Sequence, residues 1–104
     1  MDVENILTDE IIELLETVGV DPDSGYEDGQ YIVFDLYDYD YFNEVYTKLE
    51  KNIEVERDSD SSHLDIEYTH ITYLYKDMLI ELVGLFDEDE YTLNICEDGE
   101  NEDN

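Results

Sequence analysis

The chain carries 32 acidic residues against four basic ones in 104, a formal net charge of −28. A soluble domain of this size ordinarily carries a net charge of roughly 2–8 in magnitude, because a larger single-sign charge makes the compact state repel itself. Whatever this chain folds into must assemble a core against that repulsion. Acidic chains with few aromatic residues stay disordered. Here 41% of the residues are hydrophobic, with ten Tyr and three Phe, enough for one core at this length. A single domain over residues 1–97 is expected. Residues 98–104 hold no apolar side chain and are expected to be a solvated acidic tail.

Val3, Ile6, Leu7, Ile11, Leu14, Leu15 and Val18 recur at spacings of three and four, which predicts an amphipathic helix. Asp2 is placed to cap its start, Thr8 to break it in two and Gly19 to end it. Asp21–Gly29 holds the only Pro and reads as a turn-rich loop. Gln30–Asp38 alternates as a strand. Ile32, Phe34 and Leu36 face one way, and Tyr31, Val33 and Tyr37 the other, which suits a central strand covered on both sides. Asp40 is placed to cap a second helix over Tyr41–Asn52, with the stripe Phe42, Val45, Tyr46 and Leu49. Lys48 and Lys51 complement its C-terminal dipole.

The second half reads as β. A short run, Ile53–Arg57, precedes a loop, Asp58–Ser62. His63–Tyr75 reads as one long strand in which the alternation of Leu64, Ile66 and Tyr68 gives way to that of Ile71, Tyr73 and Tyr75. A bulge near Thr69–His70 accounts for the change of phase. A turn at Lys76–Asp77, a buried strand over Met78–Phe86, an acidic turn at Asp87–Glu90 and a last strand over Tyr91–Cys96 follow. The order α-β-α-β-β-β-β predicts an α+β fold, two helices packed on a mostly antiparallel sheet of four to five strands. If the last strand is an uncovered edge, it offers a route to a homodimer.

Two patterns carry chemistry. Residues two apart on a strand lie about 6.6–6.8 Å from each other, and residues four apart on a helix about 6 Å. Such intervals are about twice the 3.4 Å that phosphates advance per nucleotide along one strand of duplex DNA, so a row of carboxylates can match about every second phosphate. Asp35, Asp38, Asp40 and Glu44 form one row at the strand-to-helix junction. Asp87, Glu88, Asp89 and Glu90, with Glu97, Asp98 and Glu100, form a second row at one end of the sheet. Ordinary solvated faces mix both signs, and here the mixing is missing. The second pattern is YDYDY at 37–41, which sets Tyr39 and Tyr41 among acids. Tyr offers rigid contact area, a polar tip and a face for a guanidinium.

Other chemistries find little support. Asp58, Asp60 and Ser62 match the first positions of a calcium loop, but His63 stands where the turn needs Gly and Thr69 where the bidentate Glu belongs, so no metal site and no cofactor are expected. Cys96 with His63 and His70 makes neither a zinc motif nor a nucleophile pair. The single Cys excludes an internal disulfide, no basic leader precedes an apolar stretch, and no apolar run approaches the length of a bilayer span, so a cytoplasmic setting is expected. A field this negative repels anionic lipid and nucleic acid and attracts strongly basic proteins, of which the commonest are those that bind nucleic acid.

In its extreme acidity, small size and Tyr and Asp content, the chain resembles phage-encoded DNA-mimic proteins, a group that includes inhibitors of restriction enzymes, of uracil-DNA glycosylase and of CRISPR effectors. The resemblance is one of composition, spans the whole chain and rests on no sequence motif, so no family residue is carried over. It implies a stoichiometric inhibitor rather than an enzyme. Such a protein occupies the DNA- or RNA-binding cleft of a host defence nuclease in the host cytoplasm, without itself touching nucleic acid or membrane. The partner-binding candidates are Asp35, Asp38, Tyr39, Asp40, Tyr41, Glu44, Asp87, Glu88, Asp89, Glu90, Glu97 and Asp98. Two alternatives stand beside this one: an immunity protein for a basic nuclease toxin, and acidity as an adaptation to high salt. Against the second stand the absence of Ala and the abundance of Ile, Tyr and Asn, marks of a low-GC genome.

Overall fold

A computed structural model describes residues 6–65 and 67–97, with residues 59–64 as backbone only. Its first helix, α1, spans Asp9–Val18. Thr8 caps it, its hydroxyl accepting from the Ile11 N–H at 3.3 Å. Gly19 ends it at φ 90, in the left-handed region that favours glycine, and Val20 N–H then donates back to Leu15 O at 2.8 Å. A short 3₁₀ turn at Pro22–Ser24 leads into two strands, β1 at Tyr26–Asp28 and β2 at Tyr31–Asp35. Helix α2 spans Tyr39–Lys51, and strands β3 (Glu56–Leu64), β4 (Tyr68–Tyr75), β5 (Met78–Leu85) and β6 (Glu90–Glu97) follow. The strands form one antiparallel sheet in the order β1-β2-β6-β5-β4-β3.

The period-two alternation divides the sheet into two unlike faces. Ile71, Leu82, Leu93 and Phe34 lie in register across four strands, and Tyr73, Ile80, Ile95 and Ile32 form the next row. All eight are buried beneath Ile11, Leu14, Leu15 and Val18 of α1 and Phe42, Val45 and Leu49 of α2. Gly84 makes room for α2: a Cβ there would lie 3.1 Å from the Phe42 ring. Tyr73 is fully buried, yet its hydroxyl is satisfied, donating to Glu50 Oε2 at 2.7 Å. Arg57 Nη1 donates to the same oxygen at 3.3 Å, so one carboxylate ties α2 to β3 and β4. On the opposite face, no element among the described residues covers the sheet, and β5 alternates strictly between buried and half-buried side chains.

The α+β class and both helices stand as expected, but the sheet has six strands rather than four to five, and their order differs. The added strand is β1, where a loop was expected. Asp28 and Tyr31 pair around a two-residue turn whose first position, Gly29, has φ 66. β3 runs through the expected loop Asp58–Ser62, pairing with β4 on either side of it, at Asp58–Thr72 and again at His63–His70. The two strands fall out of step between Asp58 and His63. The expected single strand His63–Tyr75 is instead a hairpin. Leu64 pairs with Thr69, so the change of phase is a chain reversal and not a bulge. Ile66 lies outside the described residues, as do Asp2, Val3 and residues 98–104. Helix α2 begins two residues before the expected start, because Asp38 rather than Asp40 caps it. The last strand is not an edge. β6 is paired on both sides, by β2 and β5, which removes the edge on which a homodimer was expected.

Candidate nucleic-acid-mimic surface

Strand β2 ends beside the start of β6, and that pairing decides where the acids gather. Asp35 pairs with Thr92, and Leu36 N–H donates to Tyr91 O at 2.9 Å. Leu36 is buried, so the chain must turn sharply to leave the sheet. It does so in a three-residue γ-turn, Asp38 N–H donating to Leu36 O at 2.6 Å across Tyr37, whose φ is 62. A γ-turn with positive φ at its centre is rare and strained, the more so for an aromatic residue. It leaves the Tyr37 ring 72% exposed. Asp38 then caps α2, its Oδ1 accepting from Tyr41 N–H at 2.9 Å. Asp38 and Asp40 thus sit at the helix N-terminus, where the dipole favours negative charge.

The β5–β6 turn lies against this junction. Glu88 N–H donates to Leu85 O at 3.1 Å, and Asp89 takes φ 56 to bring the chain back into β6. Phe86 N–H donates to Glu67 O at 3.1 Å, which adds the β3–β4 turn to the same end. Beneath the turns, Tyr39, Phe42, Phe86 and Tyr91 pack as a four-ring cluster with centroids 5.2–6.2 Å apart. Burial, then a hydrogen bond to Asp89, pushes the Tyr91 phenol above its ordinary value. The Tyr41 phenol is raised mainly by burial and also by its neighbours Tyr37, Asp21 and Glu44. Its hydroxyl donates to Gly19 O at 3.0 Å, and its ring stacks at 6.2 Å on that of Tyr37. A cleft of about 330 Å³ opens between the β1–β2 edge and the β5–β6 turn, lined by Tyr26, Asp35, Tyr37, Asp89, Glu90, Tyr91 and Thr92.

The two expected acidic rows therefore merge in part. Asp35, Asp38, Asp40, Asp87, Glu88, Asp89 and Glu90 share one end of the sheet, with Asp65 and Glu67 on the neighbouring turn. Every one of these residues is exposed. Glu97 does not belong with them. It ends β6 while Glu90 begins it, so seven strand steps, about 23 Å, separate them. Asp98 lies outside the described residues. Glu44 is partly neutralised by Lys48 at 3.4 Å. Tyr39 is half-exposed and serves the ring cluster, while Tyr41 is spent largely on the α1–α2 contact.

The sequence reading missed Tyr26 and Tyr37 as wall residues. The two-residue turn Gly29-Gln30 was the available signal for Tyr26, since a Gly at the first position of a two-residue loop between alternating residues marks a hairpin. Nothing in the local pattern marks the left-handed turn at Tyr37.

The four cations are segregated from this end. Lys48 pairs with Glu44 and Arg57 with Glu50 on α2, and Lys51 sits in the last turn of the same helix. Lys76, at the opposite end of the sheet in the β4–β5 turn, lies 3.9 Å from Glu10 of α1. No Lys or Arg stands among the nine carboxylates named above. Among the described residues, no three His, Cys, Asp or Glu side chains converge as a metal-ligand set, and no helix is long and apolar enough to cross a membrane. Comparison with protein-family models, with curated proteins and with solved structures finds no match to this chain.

Proposed function

We propose that this protein is a nucleic-acid mimic, a stoichiometric inhibitor whose acidic end occupies the DNA- or RNA-binding cleft of a basic nuclease, such as a restriction enzyme or a CRISPR effector. The observation that carries the reading is the charge segregation. Nine carboxylates surround one end of the sheet, and all four Lys and Arg side chains sit on α2, at the start of β3 or at the far turn. Long-range attraction speeds encounter with a basic cleft, and the local pattern sets orientation. At contact, the carboxylates take the place of phosphates as acceptors for Lys and for bidentate Arg. Tyr26 and Tyr37, 51% and 72% exposed, offer ring faces to guanidinium groups beside those carboxylates. Because the acids stand on turns fixed by the sheet and the α2 cap, they avoid much of the ordering cost that a flexible polyanion meets on binding.

The test is a displacement titration. Labelled duplex DNA is bound to each of a guide-loaded CRISPR effector, a type I restriction enzyme and uracil-DNA glycosylase, and the protein is added. The expected result is loss of DNA binding from at least one of them at about one equivalent, with steep weakening as salt rises. DNA binding that persists on all three at saturating protein sinks the proposal.

A further inference from the structure

A groove runs between α2 and β4, on the flank of α2 opposite the one where Tyr41 bonds Gly19 O. Tyr39, Asn43 and Tyr46 stand on successive turns of α2 and form one wall, about 10 Å long. Phe42, with Thr69 and Ile71 of β4, makes a buried floor, and half-buried Phe86 closes the end nearest the turns. The space is about 150 Å³ and is open to solvent beside Asn43, which is exposed. At about 30 Å³ per water it has room for about five waters, or for one side chain of the size of Leu or Met. At the far end, one turn beyond Tyr46, Glu50 is already held by Arg57 and Tyr73.

Acids border the mouth at the near end. Asp40 follows Tyr39 on α2, and Asp87 follows Phe86. The β3–β4 turn, which carries Asp65 and Glu67, is tied to the groove twice: Phe86 N–H donates to Glu67 O at 3.1 Å, and the Thr69 hydroxyl donates to Asp65 O at 3.5 Å. This charge selects among occupants. A second copy brings a further −28, residues 98–104 bring four acids and no apolar side chain, and residues 1–5 bring Asp2 and Glu4. Anionic lipid and nucleic acid are repelled. We infer that the groove receives one Leu or Met side chain of the basic partner, flanked in that partner's chain by Lys or Arg that reach Asp40, Asp87 and the β3–β4 turn. The ring walls suit either side chain, and the Met sulfur adds contacts with ring edges. An apolar anchor inside a polar rim is where interfaces concentrate their binding energy. Charge alone attracts every basic protein, whereas a pocket that admits one side chain discriminates among them. The inference rests on the reading of the acidic end as the surface that meets a basic protein, and it names what selects that partner.

The probe is a fluorescent basic peptide of about 12 residues, with Lys and Arg on both sides of one central Leu, read by anisotropy at 150 mM salt. The same peptide with Ser in that place controls for bulk attraction. The expected result is about tenfold tighter binding of the Leu peptide, the gain from burying one such side chain. Asn43→Trp, at an exposed helix position, lays a ring over the groove. It is expected to erase the preference and to leave the Ser peptide within twofold. Asp40→Asn/Asp87→Asn is expected to weaken both peptides alike, by about threefold or more. In the unmodified protein, the Leu peptide alone is expected to shift the methyl resonances of Thr69 and Ile71, a readout that needs no variant to fold. Equal affinity for the two peptides overturns the inference, as does a Leu preference that survives Asn43→Trp or leaves both methyls unmoved. A shift of those methyls on Val3→Ser without peptide assigns the groove to the chain's own first residues and overturns it too. The nuclease titration separates the two claims. DNA displacement with no Leu preference sinks the groove alone, and a Leu preference with no displacement sinks the functional reading alone.

Discussion

Tyr37 shows most plainly what single residues contribute here. An exposed aromatic in the left-handed region is a local penalty of about 1 kcal/mol or more, and no burial of its own offsets it. Tyr37→Gly and Tyr37→Ala both delete the ring, so their difference isolates the backbone. The glycine variant is expected to be more stable by about 1 kcal/mol in urea unfolding. Both variants are expected to weaken inhibition, because both remove a wall of the cleft. Tyr73 is the opposite case, a buried phenol with its hydroxyl satisfied. Burial, then its hydrogen bond to Glu50, raises its pKa far above the ordinary phenol value, and Tyr31, Tyr41, Tyr75 and Tyr91 are raised in the same direction, chiefly by burial. In the unfolded chain these phenols ionise near pH 10, while in the fold they stay neutral. Their contribution is therefore fully present below about pH 10 and is lost as pH rises through the folded-state values. Unfolding free energy measured from pH 9 to 11.5 is expected to be flat at first and then to fall, with a shallower fall in Tyr73→Phe.

At the scale of elements, the sequence was legible where apolar period and length agreed. The stripes Ile11, Leu14, Leu15 and Val18 and Phe42, Val45 and Leu49 are the buried faces of the two helices, and β5 and β6 lie within a residue or two of their expected bounds. The failures have definite causes. β1 is three exposed residues, held by pairing with β2 and invisible to any burial pattern. β3 is an edge strand of Asp and Ser, a composition that suits an edge and reads as a loop. Ile53, counted as the start of a strand, is 98% exposed in the turn before it. The cap of α2 was misplaced because Asp38 and Asp40 are equally suitable as caps, and only the γ-turn at Tyr37 decides between them. The chosen cap is testable. Asp38→Ala is expected to cost about 1 kcal/mol, while Asp38→Asn, which retains the accepting oxygen, is expected to stay within about 0.5 kcal/mol of the parent by thermal or urea unfolding.

At the scale of the whole molecule, charge and topology act together. Excess acid was evident from composition, but its gathering at one end was not, because that depends on β2 lying beside β6 across more than fifty residues of sequence. For the same reason Glu97, close to Asp87–Glu90 in sequence, stands at the other end of a strand. Net repulsion is a cost to the fold that salt screens, so the melting temperature is expected to rise by several degrees between 10 and 300 mM NaCl. Binding to a basic partner is expected to weaken over the same range, so salt moves stability and inhibition in opposite directions.

The central claim is that ordered carboxylates at one end, rather than bulk charge, displace nucleic acid. Two variants with the same change in net charge separate these ideas in the displacement titration. Asp35→Asn/Asp38→Asn/Asp89→Asn/Glu90→Gln neutralises the acidic end, and Asp9→Asn/Glu10→Gln/Glu13→Gln/Glu16→Gln neutralises α1. The account predicts at least a hundredfold loss of inhibition for the first and no more than a few-fold loss for the second. Equal losses from the two sets contradict it.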